Sequence, residues 1–339
     1  MNQTQTALGQ LAQGSDLTAA QMEAAMLEIM QGQADPVQVG GLLMALAVKG
    51  ETVTEIAAAA RVMRLLATPV EIDRQGLTDI VGTGGDGAGL FNVSTASAFA
   101  AAACGVRVAK HGNRSVSSRS GAADVLEAAG CRLDLSADQV VRLIDEAGVG
   151  FLFAPQHHGA MKHAIGPRKA LGLRTVFNLL GPLTNPAAAP RQVLGVFSDH
   201  WLEPMARVLA ELGSEHVMVV HSKDGLDEIS LAAPTRVAEL KDGEIRTFWI
   251  EPESLGFKTG SLETLVVDDP MASLALVRSA LSGNPGPAMD MVALNAGAAC
   301  YVSGLSPSLE AGVRLAREGL LEGAGLAKLE YYAGQTRRV

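Results

Sequence analysis

Two stretches of this chain, Gly82-Thr83-Gly84-Gly85-Asp86-Gly87 and Lys110-His111-Gly112-Asn113-Arg114-Ser115-Val116-Ser117-Ser118, place bare backbone, hydroxyls and two cations close together in sequence. Glycine lets backbone N–H groups approach an oxyanion closely, hydroxyls donate to its oxygens, and Lys110 and Arg114 supply charge. Between the two stretches, Asn92-Val93-Ser94-Thr95 opens the apolar run Ala96 to Cys104. A helix starting there aims free N–H groups and its positive dipole end at an anion. The three segments together predict a site for a phosphorylated ligand.

Other readings of the same residues fare worse. Gly82, Gly84 and Gly87 match the spacing of the dinucleotide fingerprint, but that fold needs the helix to begin within the glycines and an acidic residue at the end of the next strand. Here the helix signal starts late, at Asn92, and the next β-prone run ends in Lys110. A Walker loop is excluded because no Gly-Lys-Ser/Thr ending follows the glycines. Asp227-Glu228, an adjacent acidic pair, is on its own more often a solvated turn than a metal site.

The elements that must hold these residues fall into two textures. Up to about residue 70 only helices are signalled. Asp16 is placed to cap a helix carrying Met22, Met26, Ile29 and Met30, and Asp35-Pro36 starts a second with Leu42, Leu43 and Leu46, ended by Gly50. Thr52 and Glu55 form a capping box ahead of Ile56, Ala60 and Met63, and Pro69 closes that helix. From Leu77 onward short β-prone runs alternate with helices: 79–81, 106–110, 151–153, 193–197 and 217–221. Such alternation implies a largely parallel sheet. Ser136 and Gln139 box a further helix, and Asp242-Gly243 between two β-prone runs marks a hairpin, so the sheet is mixed. The expected architecture is a small helical domain, 1–74, and a larger α/β domain, 75–339, with a Gly- and Pro-rich segment near 165–190 crossing back between them.

Composition narrows the function class. The 339 residues are 48% hydrophobic and 19% charged, enough to bury a large core. A net charge of −9 disfavours a nucleic-acid partner, which calls for a basic face. No run reaches membrane-span length and the Gln-rich start has no signal core, so a cytoplasmic address with no membrane partner is expected. Cys104, Cys131 and Cys300 are scattered without metal or disulfide spacing. A helical unit this small with several apolar faces suits packing against a second copy, and a homodimer is expected.

In Gly82–Asp86, Asn92–Thr95, Lys110–Ser118, Arg174-Thr175-Val176-Phe177-Asn178, Gly181-Pro182-Leu183 and Asp224-Gly225-Leu226-Asp227-Glu228, the sequence resembles the anthranilate phosphoribosyltransferase family along nearly its whole length. The resemblance implies transfer of the 5-phosphoribosyl group from phosphoribosyl pyrophosphate to the amine of anthranilate, with magnesium neutralising the departing pyrophosphate. It puts the donor on Gly82, Gly85, Asp86, Leu90, Asn92, Val93, Ser94, Thr95, Lys110, His111, Gly112, Asn113, Arg114, Ser115, Val116, Ser117, Ser118 and Ala122. The acceptor falls to Gly82, Asn113 and Arg168, the last through the run His163-Ala164-Ile165-Gly166-Pro167-Arg168. The metal, two Mg2+ ions per subunit when the donor is bound, falls to Ser94, Asp227 and Glu228. In this reading the adjacent carboxylates are ligands after all. No acid–base residue is required, because an arylamine attacking an oxocarbenium-like carbon need not first lose a proton; His111, His157 and His158 are read as pocket lining.

Two positions depart from the family pattern: Leu90 replaces a threonine and Ala122 a serine, each removing one hydroxyl. One neutral hydrogen bond is worth about 0.5–1.5 kcal/mol, so donor affinity softens without loss of activity. Pyrimidine nucleoside phosphorylases share the implied architecture but carry a different loop in place of Lys110-His111-Gly112-Asn113-Arg114; that activity is the alternative, followed by a non-catalytic nucleic-acid-binding relative.

Overall fold

The structure, a computed structural model, describes residues 2–115 and 119–339. Its helical unit comprises α1 (Gln3–Leu11), α2 (Ala19–Met30), α3 (Pro36–Lys49) and α4 (Val53–Leu66). The α3 and α4 signals hold as read: Asp35 caps α3 with Pro36 in the first turn, and Thr52 and Glu55 close a reciprocal box on α4. Asp16 does not cap α2. Thr18 does, boxed with Gln21, while Asp16 pairs with Lys49 at 2.7 Å. Thr18 wins because its hydroxyl stands three residues before a glutamine that reaches back, which Asp16 lacks. Helix α1 was not signalled; it is polar except for Ala7, Leu8 and Leu11, and only packing on α2 and α3 recruits it.

The α/β unit is built on a seven-stranded sheet, ordered β3-β2-β1-β4-β5-β6-β7. Its strands are β1 (Thr78–Gly82), β2 (Val108–Gly112), β3 (Val149–Phe153), β4 (Arg191–Gly195), β5 (His216–Ser222), β6 (Thr235–Lys241) and β7 (Glu244–Ile250). Strands β1 to β5 are parallel, and β5, β6 and β7 pair antiparallel, the last two joined at Asp242-Gly243 with both residues at positive φ. The sheet is thus mixed and mostly parallel, as its sequence implies. Its helices are α5 (Val93–Ala103), α6 (Ala122–Ala128), α7 (Ala137–Ala147), α8 (Ala154–His157), α9 (Lys162–Leu171), α10 (Val176–Leu180), α11 (Leu202–Glu211), α12 (Pro270–Leu281), α13 (Pro287–Val302), α14 (Leu309–Leu321) and α15 (Ala324–Thr336).

Two cores flank the sheet. On one face Phe99, Val108, Leu152, Val193 and Tyr332 join α5, α13 and α15. On the other, Leu194, Val217, Val219 and Leu240 continue through α11 into Met22, Leu42, Ile56 and Met63 of the helical unit, with Phe177 and Leu180 of α10 between them. Within the Gly- and Pro-rich segment 165–190, Pro167 lies inside α9, which puts Arg168 in that helix's last turn. The order of strands reverses on either side of β1, so the switch point lies between β1 and β4, where open α/β sheets bind ligands at the carboxyl ends of their strands. No helix among the described residues is long and apolar enough to cross a membrane.

Candidate active site

Three chain segments meet at that switch point because two glycines leave room for them. A Cβ on Gly82, at the end of β1, would stand 2.5 Å from Asp227 Oδ2, and one on Gly195, at the end of β4, only 1.6 Å from the Asp227 carbonyl oxygen. With glycine at both places, the loop after β5 drops between the strand ends. Gly84 N–H then donates to Asp227 Oδ2 at 2.8 Å, and Thr83 N–H to Gly195 O at 2.9 Å. The far end of the acidic loop is pinned to α13, where Asn295 exchanges two 2.9 Å hydrogen bonds with the backbone of Ile229.

The carboxylates so placed carry more charge than their surroundings neutralise. Glu228 accepts from Ser94 N–H, and Lys110 Nζ donates to Ser94 Oγ at 3.1 Å and to Ile80 O at 2.6 Å. Lys110 is 3% exposed and its pKa is lowered by burial, with Asp79, Glu228 and Asp227 acting against that trend. Asp227 and Glu228 are half-buried in the cleft wall, reached by water yet densely surrounded by protein. Loss of hydration, then repulsion from Asp86, pushes the Asp227 carboxyl up to about 6, and burial plus Asp227 raises Glu228 well above the usual range. Among the described residues no three His, Cys, Asp or Glu side chains converge on a single point. Magnesium needs no such group, since it is held by one or two carboxylates and completed by water and substrate phosphate. The excess of oxygen charge on Asp86, Asp227 and Glu228 over Lys110 is what a divalent cation relieves, so the residues fit the metal.

A pH dependence follows, with its sign fixed by the raised Asp227. A carboxyl whose folded pKa exceeds its unfolded value favours the folded state below the unfolded pKa and loses that contribution as pH rises through about 6. Magnesium competes with the same protons. Its stabilisation, the melting temperature with the ion minus that without, is expected to be large at pH 7.5 and to fade as pH falls through about 6. Thermal melts in paired buffers check this, and an increment that does not change with pH would remove Asp227 from the metal.

The residues expected to cradle an anion gather around the start of α5 and the end of β2. Asn92 caps α5, its Oδ1 accepting from Thr95 N–H at 3.2 Å and from the Thr95 hydroxyl. Leu90 forms an isolated bridge to Val266, which contributes backbone whatever its side chain, and Val93 is buried beneath. Gly112 ends β2, with Ala122, the first residue of α6, packed beside it. The loop from Asn113 to Ser115 is organised by a residue not foreseen, Asp124, which accepts from Ser115 N–H at 3.0 Å, Gly121 N–H at 2.9 Å and Arg114 Nη1 at 3.2 Å. Arg114 is further tied to Glu127, which holds its pKa above the ordinary arginine value. Val116, Ser117 and Ser118 lie outside the described residues.

The residues that the family resemblance assigns to the acceptor are more dispersed. Asn113 is exposed just after β2, and Arg168, on α9, stacks 5.1 Å over Phe177 of α10; α9 itself packs on α2 and α3 of the helical unit. His111 and His158 lie with ring centroids 5.2 Å apart, and the Nε2 atom of each is buried without a partner among the described residues. Burial, then the neighbouring imidazoles, lowers His111 to about 3 and His158 to about 4, so both are neutral at physiological pH, as lining residues should be. Arg174, to which the sequence assigns no role of its own, stacks 4.3 Å over Phe197 and donates to the Gly85 carbonyl, bracing the glycine loop from the crossing segment.

Known proteins match this chain along nearly its whole length. The model of a glycosyl transferase family matches twice, its helical bundle domain over residues 5–67 and its α/β domain over 74–326. A protein of Thioalkalivibrio sulfidiphilus named anthranilate phosphoribosyltransferase is 60% identical over 326 residues, covering 96% of each chain. The anthranilate phosphoribosyltransferase of Thermus thermophilus superposes with a TM-score of 0.93 at 48% identity, covering 99% of this chain and 100% of the other. The Saccharomyces cerevisiae enzyme, solved with phosphoribosyl pyrophosphate and magnesium, gives 0.90 at 28% identity, covering 99% and 98%.

Proposed function

Because the chain belongs to the anthranilate phosphoribosyltransferase family, we propose that its switch-point cleft divides one reaction among the residues just described. The protein transfers the 5-phosphoribosyl group of phosphoribosyl pyrophosphate to the amine of anthranilate, a step of tryptophan biosynthesis. The observation that carries this reading is the junction of Lys110, Ser94 and Glu228 beside Gly84 and Asp227, a cation, a hydroxyl and an acidic pair at the end of a phosphate-type glycine loop.

As the anomeric C–O bond breaks, negative charge grows on the pyrophosphate oxygen released from that carbon while the ribose carbon becomes positive. Lys110 and the start of α5 face the former. Magnesium, when bound through Ser94, Asp227 and Glu228, supplies the remaining neutralisation of the leaving group; two ions per subunit when the donor is bound is the reading carried over from the family resemblance. Neutral His111 and His158 line the pocket without taking a proton, and Asn113 and Arg168 orient the acceptor so that its amine faces the anomeric carbon. The remaining donor contacts are assigned to Gly82, Gly85, Asp86, Asn92, Thr95 and the loop through Ser115, with Leu90 and Ala122 contributing backbone.

Arg168→Ala tests the acceptor assignment. Loss of a charge-assisted bond to the anthranilate carboxylate is worth about 1.5–3 kcal/mol, so kcat/KM for anthranilate is expected to drop roughly ten- to hundred-fold with donor binding retained. Separate titration of the two substrates checks it; equal weakening toward both would signal collapse of the segment around Pro167 instead.

We also take the helical unit as 1–74 and as the site of a cytoplasmic homodimer. Val37 and Val48 of α3, 81% and 83% exposed, are apolar surface that a second copy would cover. Assaying the protein in parallel with anthranilate and phosphoribosyl pyrophosphate, and with thymidine and phosphate, separates the reading from the phosphorylase alternative. A product with the mass of phosphoribosyl anthranilate supports it; release of thymine with no such product refutes it.

A further inference from the structure

The sheet has a gap at the strand pair that carries the site. Strands β1 and β4 are in register over five residues and β2 and β3 over five, but β1 and β2 pair only at Thr78↔Val108. Beyond that point the two strands part, and their facing backbone groups need other partners. Side chains provide them. Asp79 Oδ1 accepts from His111 N–H at 3.1 Å, Asn185 Nδ2 donates to Ala109 O at 2.8 Å, and Lys110 Nζ reaches across to Ile80 O at 2.6 Å. Asp79 and Asn185 also join each other, Nδ2 to Oδ2, at 2.7 Å. The Asn185 amide is fully used, since its Oδ1 accepts from Ala187 N–H at 2.9 Å.

These groups are deep: Asp79 is 1% exposed, Asn185 5%, and Ala109 fully buried. A buried carboxylate held by neutral donors, with one lysine as its nearest cation, costs stability compared with an ordinary backbone ladder, so a plain strand pair would serve the fold better. What the insertion achieves is spacing. The glycine loop leaves from the end of β1, and Lys110 sits on β2, so the separation of these strands sets where the lysine stands relative to Gly82–Gly85 and Ser94. Asn185 belongs to the crossing segment, whose next residue accepts from Val70 N–H at 3.0 Å, so the same spacer is fastened to the linker that follows the helical unit.

We propose that Asp79 and Asn185 form a positioning pair that replaces the missing β1–β2 ladder and holds Lys110 at the correct distance from the glycine loop for the phosphoribosyl donor. Neither touches the reacting atoms. The inference rests on the assignment of Lys110 and Gly82–Gly85 to the donor, which the wild-type reaction tests on its own.

Asp79→Asn keeps the shape but turns a donor toward the Asn185 amide, and Asn185→Ala removes the spacer from the other side. Steady-state kinetics of each, and of the double variant, well below the melting temperature, give the result. The expected outcome is a donor KM raised about ten-fold in each single variant with the anthranilate KM unchanged, and a double variant no worse than either single one, as for two residues acting as a unit. If Asp79→Asn does not fold, Asn185→Ala alone decides through the same split between the two KM values. Equal changes in both KM values, losses that multiply in the double variant, or a donor KM within two-fold of the parent while the wild type transfers normally, would overturn the proposal.

Discussion

Replacing both Asp227 and Glu228 by alanine is expected to lower kcat/KM by about three orders of magnitude while leaving the protein folded. A divalent ion at a departing diphosphate is worth several kcal/mol of transition-state charge stabilisation, and each 1.36 kcal/mol is ten-fold in rate. The fold survives because both side chains face a cleft and because their charges are uncomfortable where they stand. Asp227, pushed up to about 6 by burial and by Asp86, destabilises the metal-free protein above that pH. The double variant should therefore melt no lower than the wild type in metal-free buffer at pH 7.5, and should lose the increment that magnesium gives. Rates at limiting magnesium together with melts make the check. A variant within ten-fold of the parent would take the acidic pair out of the reaction, and one that melts far lower would make it a structural element.

The second large effect belongs to Lys110, and its signature is a pair of opposite signs. Lys110→Met keeps the buried stem and removes the charge from its contacts with Ser94 Oγ and Ile80 O. Without it Asp79, Asp227 and Glu228 lose the cation that each of them acts on, so magnesium alone is expected to bind at least as tightly as before. The donor is expected to suffer, with its kcat/KM falling roughly 10²–10³-fold, the range seen when one preorganised charge-stabilising donor is removed. Lys110→Arg should not restore it, because a planar fork cannot occupy the narrow passage between β1 and β2 that a single ammonium fills. Magnesium titration followed by thermal shift, alongside donor kinetics, checks both signs. Parallel weakening of metal and donor would mean that the cleft had simply opened.

Much of this arrangement is local and therefore visible in the chain. A capping box needs only residues three apart, as at Thr52 and Glu55, and a primed hairpin turn needs two, as at Asp242-Gly243. The phosphate reading of Gly82–Gly87, Asn92–Thr95 and Lys110 rested on short-range chemistry, and the structure brings those residues together. What stayed hidden depends on partners distant in sequence. Asp79 and Asn185 are 106 residues apart, and nothing in either neighbourhood announces that β1 and β2 separate there. Asp124 is close in sequence to Arg114 but looks like an ordinary first-turn acid until its hydrogen bonds to Arg114 and Ser115 are seen beside the one to its own N-cap, Gly121. Pro167 ordinarily favours a helix start, yet α9 runs through it and carries Arg168 in its last turn. For α1 the apolar pattern is too thin to read, because its few buried side chains are recruited by α2 and α3.

The most direct test of the central claim follows anthranilate fluorescence after addition of phosphoribosyl pyrophosphate and magnesium to the purified protein. The expected result is a steady loss of emission matched mole for mole by released pyrophosphate, absent without the donor and halted by a chelator. Emission that stays constant under those conditions, with the protein folded by its melting curve, would contradict the assignment of the cleft to phosphoribosyl transfer.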